Sequence, residues 1–149
     1  MTDAEAMQAA LDLARACEAA GEVPVAAILV RNGEVVAIGE NRVIRDSDPT
    51  AHSEIVALRR AGEVLKNYRL EGCTLYCTLE PCAMCAGAIL HARIDRLVYA
   101  AADPKAGACG SVLGVMNHPQ LNHRVTVEAG LLAEECGAIL TNFFRSRRS

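Results

Sequence analysis

Asn32-Gly33 stands between two β-branched runs, Val23 to Arg31 and Glu34 to Asn41. This dipeptide places both central positions of a two-residue turn at positive φ, whose twist matches that of paired strands, so the runs are expected to fold back as an antiparallel hairpin. Pro24 has no N–H to give to a ladder and fits only near the start of the first strand. Upstream, Thr2 and Glu5 form a capping-box pattern ahead of apolar positions Met7, Leu11, Ala14 and Cys17 at helical spacing, with Gly21 as the stop.

Downstream, strands alternate with helices. Thr50 is placed to cap a helix running to about Ala61 and ended by Gly62, Cys73 to Thr78 reads as a strand, and Pro81 suits the first position of a helix reaching about Ala92. Arg96 to Ala101 is a fourth strand, followed by a Gly-rich loop and short helix over Asp103 to Met116. A fifth strand spans Arg124 to Glu128, and a terminal helix runs from Leu131 to Arg147. A hairpin followed by such alternation predicts an α/β fold: a three-layer mixed sheet of about five strands flanked by helices. No linker or repeat divides residues 1–149, so one domain is expected. With 52% hydrophobic but only 3% aromatic residues and no Trp, its core must be aliphatic.

The longest apolar runs are strand-sized, which excludes a membrane-spanning helix. The opening Met-Thr-Asp-Ala-Glu lacks a secretory signal, and the seven cysteines are an odd number, so a cytoplasmic protein with reduced thiols is expected. Metal ligation then becomes the better reading for some of those cysteines. The net charge of −3 argues weakly against a nucleic-acid partner, but a local basic patch neutralises phosphates whatever the total.

The informative constellation is His52-Ser53-Glu54 with Pro81-Cys82-Ala83-Met84-Cys85. Cys82 and Cys85, three apart at a helix start, project to one side, where the positive end of the helix favours thiolate. His52 and Glu54, two apart, share a pocket only at a helix end, and the first turn permits this. Two thiolates and a neutral imidazole balance Zn²⁺ and leave the fourth tetrahedral position open, as catalytic rather than structural sites do. Zinc lowers the pKa of a bound water from 15.7 to about 7, a change of about 12 kcal/mol in favour of hydroxide. Glu54 is then the proton carrier, acid and base rather than ligand.

H-x-E with P-C-x-x-C is the known signature of zinc nucleobase deaminases. On these residues the chain resembles the cytidine and deoxycytidylate deaminase superfamily, and within it the bacterial tRNA adenosine deaminases. Val23-Pro24-Val25, Asn41-Arg42, Asp48-Pro49-Thr50-Ala51, Asn67-Tyr68-Arg69-Leu70 and Thr78-Leu79-Glu80 carry the likeness over nearly the whole chain. Asp103-Pro104-Lys105 with Gly107, Asn122-His123-Arg124-Val125 and the ending Phe143-Phe144-Arg145-Ser146-Arg147-Arg148 favour the tRNA branch.

The resemblance implies a cytidine deaminase-like fold, one Zn²⁺ per subunit, a homodimer, and deamination of the wobble adenosine of a tRNA anticodon loop to inosine. Asn41 would hydrogen-bond the flipped adenine, Asp103 and Asn122 would contact anticodon nucleotides or their backbone, and Arg124 with Arg145, Arg147 and Arg148 would meet the RNA. Ser53 stands where Ala is usual and Ala102 where a polar or basic residue is common; neither is expected to touch the chemistry.

Other readings stay open on sequence. The same zinc chemistry serves a free-base deaminase acting on guanine or cytosine. A purely structural zinc would need a fourth ligand, with Cys73, Cys77 or Cys109 as candidates. Cys17, Cys73, Cys77, Cys109 and Cys136 otherwise read as core. Asn41 and Asp103 also read as turn formers, and the terminal arginines as partners of a helix dipole.

Overall fold

The computed structural model describes residues 1–148, with side chains through Arg147. Helix α1 (Asp3–Ala19) starts with the full capping box, Thr2 Oγ1 accepting from Glu5 N and Glu5 Oε1 from Thr2 N, both at 3.1 Å. Its stripe of Ala6, Met7, Ala10, Leu11, Ala14 and Cys17 is buried, and Gly21 turns the chain at φ 87°. β1 (Ala26–Arg31) and β2 (Glu34–Glu40) form the antiparallel hairpin, with Asn32 and Gly33 at φ 52° and 77°. The first strand begins at Ala26 rather than Val23, because Pro24 gives no donor and Val25 N turns back onto Val23 O.

Helix α2 (Ser53–Leu65) differs from expectation at both ends. The Thr50 hydroxyl is taken by Asp48 Oδ1 at 2.7 Å, so His52 occupies the N-cap position. Gly62 does not stop the helix: an interior glycine costs only about 1 kcal/mol, and Leu65 beyond it packs against the core. The helix ends instead at Lys66 in the left-handed conformation, φ 53°.

β3 (Cys73–Leu79), α3 (Ala83–His91), β4 (Arg96–Ala101), β5 (Thr126–Ala129) and α4 (Ala133–Arg148) complete the chain. Pro81 lies just ahead of α3, whose N-cap is Cys82. Residues 103–114 are loop, and the expected short helix is reduced to a 3₁₀ turn at Val115–Asn117. β5 starts later than Arg124, whose guanidinium folds back onto Pro119 O. α4 starts later than Leu131 because Gly130 and Leu132 hold positive φ, 107° and 58°.

The sheet order is β2-β1-β3-β4-β5, with β1 antiparallel to both neighbours and β3, β4 and β5 mutually parallel. Alternate residues feed two cores. Ile28, Val30, Tyr76, Val98 and Ala100 face α1 and α4, while Ala27, Leu29, Leu75, Cys77 and Leu97 face α2 and α3. The three-layer mixed sheet expected from the alternation is therefore present. Among the described residues no helix is long and apolar enough to cross a membrane.

Candidate active site

Two helix starts meet at the end of β3. The chain leaves this strand through Glu80-Pro81 into Cys82, the N-cap of α3. α2 lies against β2 so closely that a Cβ at Gly39 would overlap Ser53 O and Ala57 N, which brings its N-cap, His52, to the same end of the sheet. Neither N-cap side chain caps its own helix. They face each other instead: His52 Nδ1 is 3.6 Å from Cys82 Sγ and 3.5 Å from Cys85 Sγ.

This donor set fits zinc. A tetrahedron with Zn–N of about 2.0–2.1 Å and Zn–S of about 2.3 Å has an N···S edge of about 3.6 Å. The three ligand atoms lie within 4.8 Å of one another, and they are the one such group among the described residues, with no fourth His, Cys or carboxylate in it. Cys73, Cys77 and Cys109 are buried in the core facing α2 and α3, and Cys17 and Cys136 are buried too, as their core assignment anticipated.

The protons in the cluster are divided unevenly. Hydrogen bonds from Cys85 and His52 pull the Cys82 thiol down to about 3, while Cys85, which donates to Cys82 and is buried, is pushed far up. The Cys82 hydrogen bond raises His52 against its own burial. Glu54 is 4% exposed, and burial raises its carboxyl above the usual range, opposed first by the hydroxyl of Ser53. Ser53 therefore corrects the expectation that it would not touch the chemistry: its Oγ donates to Glu54 Oε1 at 2.7 Å.

The other candidate residues divide between the two ends of the sheet. Asn41 follows β2; its Oδ1 accepts from Val43 N at 3.1 Å, and its Nδ2 makes no hydrogen bond among the described residues. Asp103 follows β4, its Oδ1 accepting from Lys105 N and Ala106 N as a turn former, and it lines an open groove of about 710 Å³ with Lys105, Leu140, Phe144 and Arg147. His52, Glu54, Cys82 and Cys85 are absent from that lining. Arg147 also stacks over the Phe143 ring at 4.6 Å, and Arg145 is exposed; the side chain of Arg148 lies outside the described residues.

Asn122 and Arg124 are not brought to this end. They precede β5, whose Thr126 pairs with Arg96 at the start of β4, whereas Asp103 follows its finish. Six strand residues separate the two places, roughly 17 Å. His123, between them, is tied to Ile94 O at 2.6 Å.

Sequence reasoning passed over two buried carboxylates. Glu22 takes Ile44 N, Arg45 N and Arg45 Nε, holding the loop after Asn41. Glu80, at 2% exposure, takes donors only from the loop after β4. No sequence pattern marks Glu22, which lies between α1 and β1; for Glu80 the signal was an acidic residue directly after an apolar strand, and a carboxylate that is buried there must be hydrogen-bonded.

The profile of the MafB19-like deaminase family matches residues 1–148. The tRNA-specific adenosine deaminase of Haemophilus influenzae is 51% identical over 98% of this chain and 85% of its own, and that of Bacillus subtilis 42% over 95% and 88%. A structure solved in work on A-to-I editing by tRNA deaminases at the wobble position superposes with a TM-score of 0.88 at 46% identity, covering 91% of this chain and 99% of its own. The guanine deaminase of Nitrosomonas europaea superposes with a TM-score of 0.80 at 29% identity, over 95% and 84%.

Proposed function

Because this chain belongs to the MafB19-like deaminase family, we propose that it hydrolyses the 6-amino group of the wobble adenosine in a tRNA anticodon loop, giving inosine and ammonia. The observation that carries the chemistry is an open three-ligand cluster with a buried carboxylate, Glu54, two residues from His52 in the first turn of α2. Similarity carries the substrate: relatives named tRNA-specific adenosine deaminases are 39–51% identical, against 29% for the Nitrosomonas europaea guanine deaminase.

His52 Nδ1, Cys82 Sγ and Cys85 Sγ would hold one Zn²⁺ per subunit. When bound, the metal supplies a Lewis acid and an activated water at neutral pH. Glu54 moves the protons: it accepts one from water, delivers it to ring N1 as the C6–O bond forms, and passes the next to the amino nitrogen as the C6–N bond breaks. Water and the amine thus become the C6 carbonyl and ammonia. Asn41 orients the extruded base, its Oδ1 engaged at Val43 N and its Nδ2 offering donors to purine acceptors.

Asp103, Arg145, Arg147 and Arg148 would receive the RNA at the same end of the sheet. Asn122 and Arg124, a strand length away, would reach one short anticodon loop only from a second subunit, which makes the homodimer part of the proposal. A tRNA substrate agrees with the cytoplasmic location expected from the sequence. Zinc-loaded protein incubated with a wobble-adenosine stem-loop beside free adenosine, cytidine and guanine, with Glu54→Ala as the blank, should yield inosine in the stem-loop alone. Product from a free base would discard the tRNA assignment and keep the metal chemistry.

A further inference from the structure

Glu80 neither ligates nor faces the ligand cluster, yet it is among the most buried carboxylates in the molecule. Its N–H donates to Ala101 O at 2.8 Å, fixing the backbone on which Pro81 and Cys82 follow. Its carboxylate takes four hydrogen bonds, all from one loop: Asp103 N at 3.0 Å and the Ser111 hydroxyl on Oε1, Cys109 N at 2.9 Å and Ser111 N at 3.1 Å on Oε2. No cation pairs with it among the described residues.

The loop is wound tightly around this charge. A Cβ at Gly107 would overlap the Glu80 carboxyl and approach Asp103 O, so glycine is required by close approach rather than by φ. Gly107 N bonds Asp103 O at 3.0 Å, and Ala108 N bonds Pro81 O at 2.9 Å, stitching the loop to the turn that presents Cys82. One fully satisfied carboxylate thus joins the metal-binding turn to the segment carrying Asp103 and Lys105.

We infer that Glu80 is a positioning residue, which holds the Asp103–Ser111 loop in register with the Cys82 turn and so sets how substrate seats over the metal site. The inference rests on the reading of this loop as substrate-facing. Its chemistry requires a carboxylate specifically: two oxygens accept four donors, whereas the equally sized Gln would point an NH₂ group at backbone N–H groups. A partly satisfied network of this kind is worse than none.

The test compares Glu80→Gln, Gly107→Ala and Ser111→Ala by zinc per chain, kcat and KM on the wobble-adenosine stem-loop, and amide exchange at Asp103, Cys109 and Ser111. Glu80→Gln and Gly107→Ala should keep one zinc, raise KM about tenfold or more with kcat within about threefold, and speed exchange at the three amides. Ser111→Ala, which loses the hydroxyl bond alone, should raise KM about threefold and serves if Glu80→Gln does not fold. Unchanged KM despite faster exchange, or zinc lost in step with activity, overturns the inference. If the wild type acts on a free base instead, the substrate reading fails, while amide exchange, zinc content and KM on that base still decide the role of Glu80.

Discussion

Glu54 sits one residue from a hydroxyl that donates to it at 2.7 Å; burial raises its carboxyl, and that contact opposes the rise. Hydrogen bonding to the ionised form lowers a carboxyl's pKa. Removing the donor in Ser53→Ala should therefore move the acid limb of the pH–rate profile upward. A limb that stays in place would mean that the hydroxyl does not tune Glu54. Glu54→Ala should retain zinc and lose deamination by about 10²-fold or more, because the carboxylate moves protons and does not hold metal. Zinc loss in that variant, read by elemental analysis, would overturn the role. The need for an acid and base beside three ligands was legible in the sequence. The Ser53 contact was not, since which way a first-turn hydroxyl points depends on the packing around it.

Elements place the cluster through their ends. α2 rests on β2 at Gly39, where a Cβ would meet backbone on the helix rather than a movable side-chain tip. Gly39→Ala should cost about 1–3 kcal/mol in urea unfolding and weaken zinc retention, because it displaces the start of α2 together with His52. Wild-type zinc affinity in a destabilised Gly39→Ala protein would show that His52 is positioned by its own loop. At the other end of the same helix, Lys66 holds φ 53°. Glycine adopts that conformation without the Cβ penalty, so Lys66→Gly should stabilise by a few tenths to about 1 kcal/mol. Denaturant midpoints check this with no change in activity expected.

Across the whole molecule, α1 is tied to the sheet by a polar cluster. Asp3 accepts from Tyr76 Oη at 2.6 Å and from Arg96 Nη1 at 2.8 Å, and Arg96 also pairs with Glu128. The Arg96 guanidinium first, and then the Tyr76 hydroxyl, lower Asp3 to about 2. A depressed carboxyl contributes stability that is complete above its unfolded pKa of about 3.9 and is lost as pH falls through the folded value. Asp3→Asn should therefore melt below the wild type at neutral pH, and the gap should close between about pH 4 and the folded pKa of about 2. A gap that persists at low pH would assign the loss to packing. Asp3 is partly exposed, so salt should narrow the difference.

Local chemistry determined much of this protein. Asn32-Gly33 sets a hairpin and Thr2 with Glu5 starts a helix, because both act over three or four residues. The spacing of Cys82 and Cys85 puts two thiolates on one side of a helix start for the same reason. The ends of elements were less legible: Gly62 stays inside α2 and β5 starts after Arg124, since packing of Leu65 and the fold-back of Arg124 onto Pro119 outweigh local preference. Tertiary structure alone decided that Glu80, quoted in sequence only within Thr78-Leu79-Glu80 as part of the family likeness, collects one loop onto the metal-binding turn. It alone also set Asn122 and Arg124 a strand length from Asp103. Which end of a parallel sheet a loop occupies follows from strand order and direction, and these are settled by long-range pairing that no single segment encodes.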